Sequence, residues 1–244
     1  MSSFLRSAAD LLPKSWRRRV LRATRRPPVG TVDFGDLRRT APLNRAWGGD
    51  RGTPVDRWYI GRFLAANADA VRGVVGEIGE DLYASRLGGE RVTAVEILDV
   101  DAGNPRVTRV IDLGRPESMP DALLDTFIAT QVLHLVRDHA RGVEAIHRCL
   151  RPGGVALVTV PGISKIYRSG IDGVFDHWRY TAAGARALFE TAFDDVTVDA
   201  PGNVLSATAF LHGLAAEELT ADELAADDAE YPLLVTIRAR RSSS

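Results

Sequence analysis

The chain has 244 residues, 45% of them hydrophobic, and a formal net charge of -1. This length and apolar content predict one full domain with a large buried core and some flanking segments. The near-zero charge excludes a nucleic-acid binder that relies on a field over the whole protein. A single cysteine, Cys149, excludes an intrachain disulfide and a thiolate zinc cluster. Since no apolar run is long enough to span a bilayer and the N-terminus lacks an apolar signal core, we expect a soluble, cytoplasmic protein.

Residues 1–30 form the first predicted region, a basic amphipathic arm in which arginines alternate with apolar side chains such as Trp16. One interpretation is a weak peripheral contact with an anionic membrane. The other is a mobile arm or a helix that caps the domain, because the same apolar spacing is common in ordinary packing. No nucleic-acid partner is predicted.

Residues 31–71 form the second predicted region, an N-terminal helical or lid segment. Thr53 followed by Pro54 predicts a helix start, with threonine as the N-cap and proline at the first helical position. The apolar spacing then continues to about Val71. The preceding loop, which holds Asp50 and Arg51 among glycines, is either a lid over a site or a packing element.

Residues 72–241 form the third predicted region, in which short apolar runs alternate with helical patterns. This alternation predicts a doubly wound, mostly parallel α/β sheet with right-handed crossovers. A long acidic insert before the last run indicates that the last strand returns antiparallel. The predicted strands are 74–78, 92–98, 107–111, 123–131, 155–161, 195–200 and 233–240, and the predicted helices are 83–87, 138–150, 181–192 and part of 205–228.

The end of the first predicted strand, Glu77-Ile78-Gly79, is typical of a turn over a nucleotide-like ligand, because glycine permits a tight turn and close backbone approach. Asp81 and Tyr83 stand where further glycines are usual in such loops. An ordinary strand-to-turn connection is the alternative reading.

Acids near the ends of the next two strands are candidates for nucleotide binding. An acid about 20 residues beyond the glycine loop holds ribose hydroxyls in such domains. Glu96 is the first candidate and Asp99 its competitor. Asp112 with Leu113 could frame an adenine, or Asp112 could simply cap a turn.

Together these motifs resemble the class I S-adenosylmethionine-dependent methyltransferases over roughly residues 40–240. The most specific of them is Leu150-Arg151-Pro152-Gly153-Gly154, before the fifth strand. The segments 50–57, 177–181 and 202–205 look like a bacterial subgroup found beside glycosyltransferases and in natural-product clusters. The resemblance implies a Rossmann-like sheet of seven strands, the last one antiparallel, with S-adenosylmethionine as the cofactor.

The resemblance also implies roles for individual residues. Glu77 and Gly79 would flank the methionine part of the cofactor, with Asp81 and Tyr83 in the same loop. Glu96 would hold the ribose. Asp112 and Leu113 would frame the adenine, and Gln131 and His134 would line the floor near the sulfonium. Because Asp81 would lie near the cofactor carboxylate, its charge is expected to repel the cofactor.

Methyl transfer to a hydroxyl needs a base, and histidine titrates near neutrality. His177, beside Asp176, lies where this family usually builds its acceptor pocket, and His134 lies nearer the cofactor. Both are therefore candidate catalytic residues, although His177 could instead belong to a packed corner. Asp176, Trp178 and Arg179 are the predicted substrate contacts, and no metal site is predicted.

The predicted function is methylation of a hydroxyl on a small molecule or sugar, in secondary metabolism or glycan biosynthesis. The alternative, suggested by the altered glycine loop, is a methyltransferase-like protein that binds or assembles with a partner and no longer transfers methyl groups. An NAD-linked oxidoreductase is disfavoured because the loop lacks the glycines that a pyrophosphate requires.

Overall fold

The computed structural model describes residues 13, 16, 27–168, 170–171 and 173–243. The chain divides into two units after Ala41. In the described part of the first unit, one short 3₁₀ helix spans Gly35–Leu37. The predicted basic arm lies outside the described residues except at positions 13, 16 and 27–30. Among the residues that the structure describes, no helix has both the length and the apolar character needed to cross a bilayer.

The second unit is built on one seven-stranded sheet with the order β3-β2-β1-β4-β5-β7-β6. The strands are β1 Gly73–Ile78, β2 Val92–Asp99, β3 Arg109–Val110, β4 Leu124–Thr130, β5 Leu150–Pro161, β6 Asp195–Asp199 and β7 Leu234–Arg240. The helices are α1 Val55–Ala66, α2 Leu82–Gly88, α3 His139–Cys149, α4 Ala182–Phe189, α5 Val204–His212 and α6 Ala221–Ala225.

Strands β1 to β5 pair in parallel, whereas β7 runs antiparallel to both β5 and β6. The predicted fold class, including its antiparallel last strand, is therefore confirmed. The order of strands changes direction between β1 and β4. In sheets of this kind, ligands bind outside the carboxyl ends of the strands at such a point.

Both faces of the sheet are covered, as the continuous apolar runs of the strands require. Successive side chains of a strand point to opposite faces. Phe127 of β4 accordingly packs in a core with α3 and α4, and its neighbour Ile128 packs in the second core with α1, α2 and α5. Since α1 shares this second core with β1, residues 42–71 belong to the same unit as the sheet.

Two predicted helix starts are confirmed by side-chain caps. Asp138 accepts a hydrogen bond from the backbone N–H of Arg141 at the start of α3 (3.3 Å). Thr181 accepts one from Gly184 at the start of α4 (3.1 Å). Each cap satisfies an N–H group that the first helical turn leaves without a partner.

The predicted cap at Thr53 is wrong. The helix begins at Val55, and Thr53 makes no capping bond. Its hydroxyl and its backbone N–H instead donate to the carboxylate of Glu217, at 2.7 and 2.9 Å. Hydrogen bonds to a residue 164 positions later in the sequence thus replace the expected helix cap.

The predicted turn at residues 151–154 also differs from the structure, because β5 already starts at Leu150. Leu150 pairs with Leu124 and Val155 pairs with Thr126, so four residues of β5 stand opposite a single residue of β4. The Pro-Gly-Gly sequence therefore forms a bulge within the strand, with Gly153 at φ +80°.

Candidate functional site

A cavity with a volume of about 1170 Å³ opens at the carboxyl ends of β1, β2 and β4. It lies where the strand order changes direction. Its wall combines apolar side chains such as Ile78 and Leu113 with a few acids. The residues that line it include Ile78, Asp99, Val100, Asp112, Leu113, Val132, Leu135, His139, Tyr167, His177 and Trp178.

Glu77, at the end of β1, holds the start of α2 and does not line this cavity. Its side chain is 3% exposed and accepts hydrogen bonds from the N–H groups of Tyr83 (3.1 Å) and Ala84 (2.8 Å). Burial raises the pKa of Glu77 to about 7, against the opposing effect of these hydrogen bonds. Glu77 thus fixes the turn that follows β1.

Gly79 lies in that turn with free space beside its Cα. It has φ +82°, and a side chain built there would meet no atom within 4 Å. Its N–H donates to Leu98 (2.9 Å), and its carbonyl accepts from the side chain of Asn104 (2.9 Å). The loop is therefore tied to the end of β2.

The two residues that depart from the usual glycine pattern are both accommodated. The Asp81 carboxylate forms an ion pair with Arg106, which offsets the charge expected to repel an anionic group. The Tyr83 side chain is 8% exposed and packs in the core beside α1 rather than in the cavity.

The acid at the cavity edge of β2 is Asp99, not the first candidate Glu96. Glu96 pairs with Gly76 in the middle of the sheet, accepts from the hydroxyl of Thr108 (2.6 Å) and lies 3.6 Å from Arg109. Because β2 continues three residues further, the competitor Asp99 stands at the strand end and lines the cavity. Its carboxylate accepts from Asn104 at 2.9 Å.

Asp112 and Leu113 lie together on the cavity wall after β3, as predicted. One oxygen of Asp112 accepts from the N–H of Gly114 (2.8 Å), which shapes the local turn. Leu113 is 5% exposed and presents an apolar surface.

A second, smaller cavity of about 370 Å³ adjoins the first and shares Val132, Leu135 and Tyr167 with it. The predicted residues Gln131 and His134 line this smaller cavity. Gln131 has φ +55°, a backbone conformation that non-glycine residues rarely adopt, and its N–H donates to Thr159 (2.9 Å).

His134 is buried (6% exposed), and its Nδ1 has no hydrogen-bond partner among the described residues. Burial lowers the pKa of His134 to about 4; the nearby charge of Asp176 opposes this effect and that of Arg179 adds to it. The imidazole is therefore neutral at pH 7, with one donor and one acceptor nitrogen.

His177 and Trp178 line the larger cavity. The backbone N–H of His177 donates to the carbonyl of His134 (2.9 Å), and its ring is exposed. Trp178 stacks on His139 with ring centroids 4.3 Å apart and donates from Nε1 to Val136 (3.0 Å). The structure thus separates the two predicted histidines, one beside each cavity.

Asp176 and Arg179, two of the predicted substrate contacts, instead bind each other and the loop before them. Arg179 donates to Asp176 (2.9 Å) and to the carbonyl of Lys165 (3.0 Å), and Asp176 accepts from the N–H of Tyr167 (2.8 Å). Burial acts to raise the pKa of Asp176, but the hydrogen bonds and charge of Arg179 outweigh it and lower the pKa. Both side chains tie the backbone at Lys165 and Tyr167 to this segment, and neither lines either of the two cavities.

Residues 76–158, which run from β1 to β5 of this sheet, match the family described as "Methyltransferase domain". Over these residues the chain contains a methyltransferase domain. The predicted family is confirmed, and so is S-adenosylmethionine as the cofactor of this methyltransferase domain.

Two curated relatives from Dictyostelium discoideum, probable polyketide synthases 41 and 40, are each 36% identical to the chain over 66 residues. The match covers 27% of this chain and about 3% of either relative. A Mesorhizobium loti S-adenosylmethionine-dependent methyltransferase of known structure is 18% identical, covering 70% of this chain and 93% of its own, with a TM-score of 0.47. A putative methyltransferase from Haloferax volcanii, in complex with a methyltransferase activator, is 18% identical, covering 80% and 96%, with a TM-score of 0.47.

Asp56, in the first turn of α1, was not among the site residues predicted from the sequence. It lines the smaller cavity, is 9% exposed, and its Oδ1 has no hydrogen-bond partner among the described residues. Burial raises the pKa of its carboxyl group. The sequence carries only a weak signal here, since an acid in the first turn of a helix is ordinary.

Glu77 makes the stability of the domain depend on pH. Its pKa is about 7 in the folded state against an ordinary 4.5, so the unfolded chain loses this proton at lower pH than the folded one. The contribution of Glu77 is therefore fully present below pH 4.5 and is lost as the pH rises to about 7. We expect the free energy of unfolding of the wild type, relative to Glu77→Gln, to fall by about 3 kcal/mol over this range.

Urea unfolding of both proteins at several pH values measures this difference. A difference that stays constant from pH 4.5 to 7.5 would contradict the raised pKa of Glu77.

Proposed function

We propose that the chain catalyses transfer of a methyl group from S-adenosylmethionine to a hydroxyl oxygen of a small molecule or sugar. The observation that carries the proposal is the pair of adjoining cavities at the carboxyl edge of the sheet, one lined by strand-end acids and the other by buried polar side chains. The names of the polyketide synthase relatives support an acceptor from secondary metabolism.

The larger cavity suits the adenosine part of the cofactor. Asp99, at the end of β2, offers carboxylate oxygens to ribose hydroxyls, and Asp112 can accept from the adenine amine. Ile78, Val100 and Leu113 provide apolar surface for the ring. The cavity volume of about 1170 Å³ slightly exceeds that of typical small-molecule sites, roughly 300–1,000 Å³, so the adenosine part fits within it.

The methionine part has a candidate partner in Arg57, which lines the smaller cavity and lies 3.5 Å from the hydroxyl of Thr130. A guanidinium binds a carboxylate through two parallel hydrogen bonds. Gly79 has open space where a side chain would stand, which leaves room for the part of the cofactor that joins its adenosine to its methionine carboxylate.

When bound, the cofactor supplies a methyl group already activated by the positive sulfur. The acceptor oxygen forms a bond to the methyl carbon, the carbon–sulfur bond breaks with its electron pair going to sulfur, and the hydroxyl proton passes to a base of the protein. The domain's own contribution is alignment of the reactants and exclusion of water. His134, with its low pKa, is a weak base at neutral pH and suits a role in orienting the acceptor oxygen. The sequence predicts His177 as this base, and the structure exposes it beside the larger cavity.

Calorimetric titration of the purified chain with S-adenosylmethionine, S-adenosylhomocysteine and NAD tests the proposal. We expect saturable binding of the first two and none of NAD, because the loop after β1 lacks the bare amides that a pyrophosphate needs. Heat from NAD alone would favour an oxidoreductase. If none of the three compounds bound, the alternative of a binding or assembly protein would be favoured.

A further inference from the structure

The smaller cavity has two buried polar side chains whose hydrogen bonding is incomplete within the described part of the protein. Asp56 is 9% exposed and His134 is 6% exposed, and neither Oδ1 of the first nor Nδ1 of the second has a partner there. An unpaired buried polar atom costs about 1–3 kcal/mol. Two of them beside one cavity therefore indicate that a ligand or ordered water completes the site.

The backbone around the same cavity is strained. Among the described residues, three that are not glycine have a positive φ: Trp47, Ala122 and Gln131. Two of these, Trp47 at +56° and Gln131 at +55°, line the smaller cavity. Strained backbone of this kind concentrates at ligand sites, where the surrounding structure compensates its cost.

The side chains that line the smaller cavity limit the size of the group that can bind there. The rings of Trp47 and Tyr167 lie 6.1 Å apart, and the ammonium group of Lys165 lies 3.5 Å from the centre of the Trp47 ring. With a volume of about 370 Å³, the cavity admits a group the size of a single ring. Tyr167 also lines the larger cavity, so a group held here stays next to the proposed cofactor site.

We infer that the smaller cavity, beside the methionine end of the cofactor at Arg57, also holds the methyl acceptor as a ring compound with a free hydroxyl, whose hydrogen bond is accepted by the carboxylate of Asp56 while His134 contacts the same oxygen. This inference rests on the proposed methyl transfer. A hydroxyl has one donor and two lone pairs, so it can satisfy both side chains at once. Asp56 rather than His177 then receives the hydroxyl proton as the oxygen–carbon bond forms. Burial raises the pKa of Asp56, which makes its carboxylate a stronger base than an exposed one.

The test uses the full chain saturated with S-adenosylhomocysteine and two probes, methyl α-D-glucopyranoside for sugar hydroxyls and phenol for aromatic ones. Binding is followed by saturation-transfer difference NMR. We expect at least one probe to bind the wild type with saturation, and Asp56→Leu to weaken that binding by about tenfold. Asp69→Asn, at an exposed acid after α1, is the matched control and leaves probe binding unchanged.

The affinity for S-adenosylhomocysteine, measured on the same samples, separates this inference from the proposed function. We expect Asp56→Leu to leave that affinity within about twofold of the wild type. Asp56→Asn keeps the side-chain size and serves as the second variant if Asp56→Leu does not fold. We expect it to weaken binding of the probe by about threefold.

Several results would overturn the assignment of Asp56. One is that neither probe binds to a wild type that binds S-adenosylhomocysteine. Another is that both Asp56 variants bind the probe as well as the wild type does. A loss of S-adenosylhomocysteine affinity in both variants would instead place Asp56 at the amino group of the cofactor. Failure of the wild type to bind S-adenosylhomocysteine would count against the proposed function itself.

Discussion

Asp99→Asn is expected to raise the Kd for S-adenosylmethionine and S-adenosylhomocysteine by about 10- to 100-fold. Asp99 stands at the end of β2 on the wall of the larger cavity. A hydrogen bond to a charged group contributes about 1.5–3 kcal/mol, and each 1.4 kcal/mol corresponds to about tenfold in affinity. Calorimetry or equilibrium dialysis with the purified chain measures the change.

Glu96→Gln is the matched control, since it makes the same kind of change on the same strand. Glu96 faces Thr108 and Arg109 within the sheet edge and does not line the cavity. Its replacement is expected to change the Kd by less than about twofold. If Glu96→Gln weakened binding while Asp99→Asn did not, the ribose would have to lie elsewhere.

Phe127→Ala is expected to lower the free energy of unfolding by about 3–5 kcal/mol. Phe127 lies in β4 at the centre of the sheet, is 0% exposed and packs in the core beneath α3 and α4. The substitution removes a large apolar side chain and leaves a cavity that the rigid strands cannot close. Urea unfolding followed by circular dichroism measures the loss.

Phe175→Ala makes the same substitution at a side chain that is 64% exposed. Its effect is expected to stay within about 0.5 kcal/mol, because little apolar surface is buried there. Equal losses of stability at the two positions would contradict the burial of Phe127 in the core beneath α3 and α4.

The strands of the domain were predictable because their signal is local. The runs that became β1, β4 and β5 are short, apolar and rich in β-branched residues, and both of their faces are buried. Such runs, separated by helical patterns, favour a parallel sheet over other architectures. The caps at Asp138 and Thr181 are local in the same way.

The proposed ribose site depends on which acid stands at the end of β2, and the sequence did not decide between the two candidates. Glu96 and Asp99 lie 17 and 20 residues after Gly79, so the expected spacing admitted both, and β2 ends at Asp99. The strand is extended by pairing with β1 up to Leu98 and with β3 at Leu98 and Asp99. Where such a ladder ends is decided by the neighbouring strands rather than by the strand's own sequence.

Partners distant in the chain decided which polar side chains face the cavities. Asp176 and Arg179 carry charges in a loop beside the site, so their residue types alone suggested substrate contact. In the structure they bind each other and backbone groups of residues 165 and 167. Charge-assisted pairs of this geometry are strong, which leaves little capacity for a ligand.

Tertiary structure likewise decided that Asp81 pairs with Arg106 and that Tyr83 is buried beside α1. It also decided that Oδ1 of Asp56, beside the smaller cavity, has no hydrogen-bond partner among the described residues. The sequence by itself determined the class of fold and the antiparallel last strand, and the resemblance of its motifs implied the family and the cofactor, because periodicity and short motifs are properties of neighbouring residues. Burial, strand length and long-range pairing depend on how separate segments pack together, and only the folded chain contains that information.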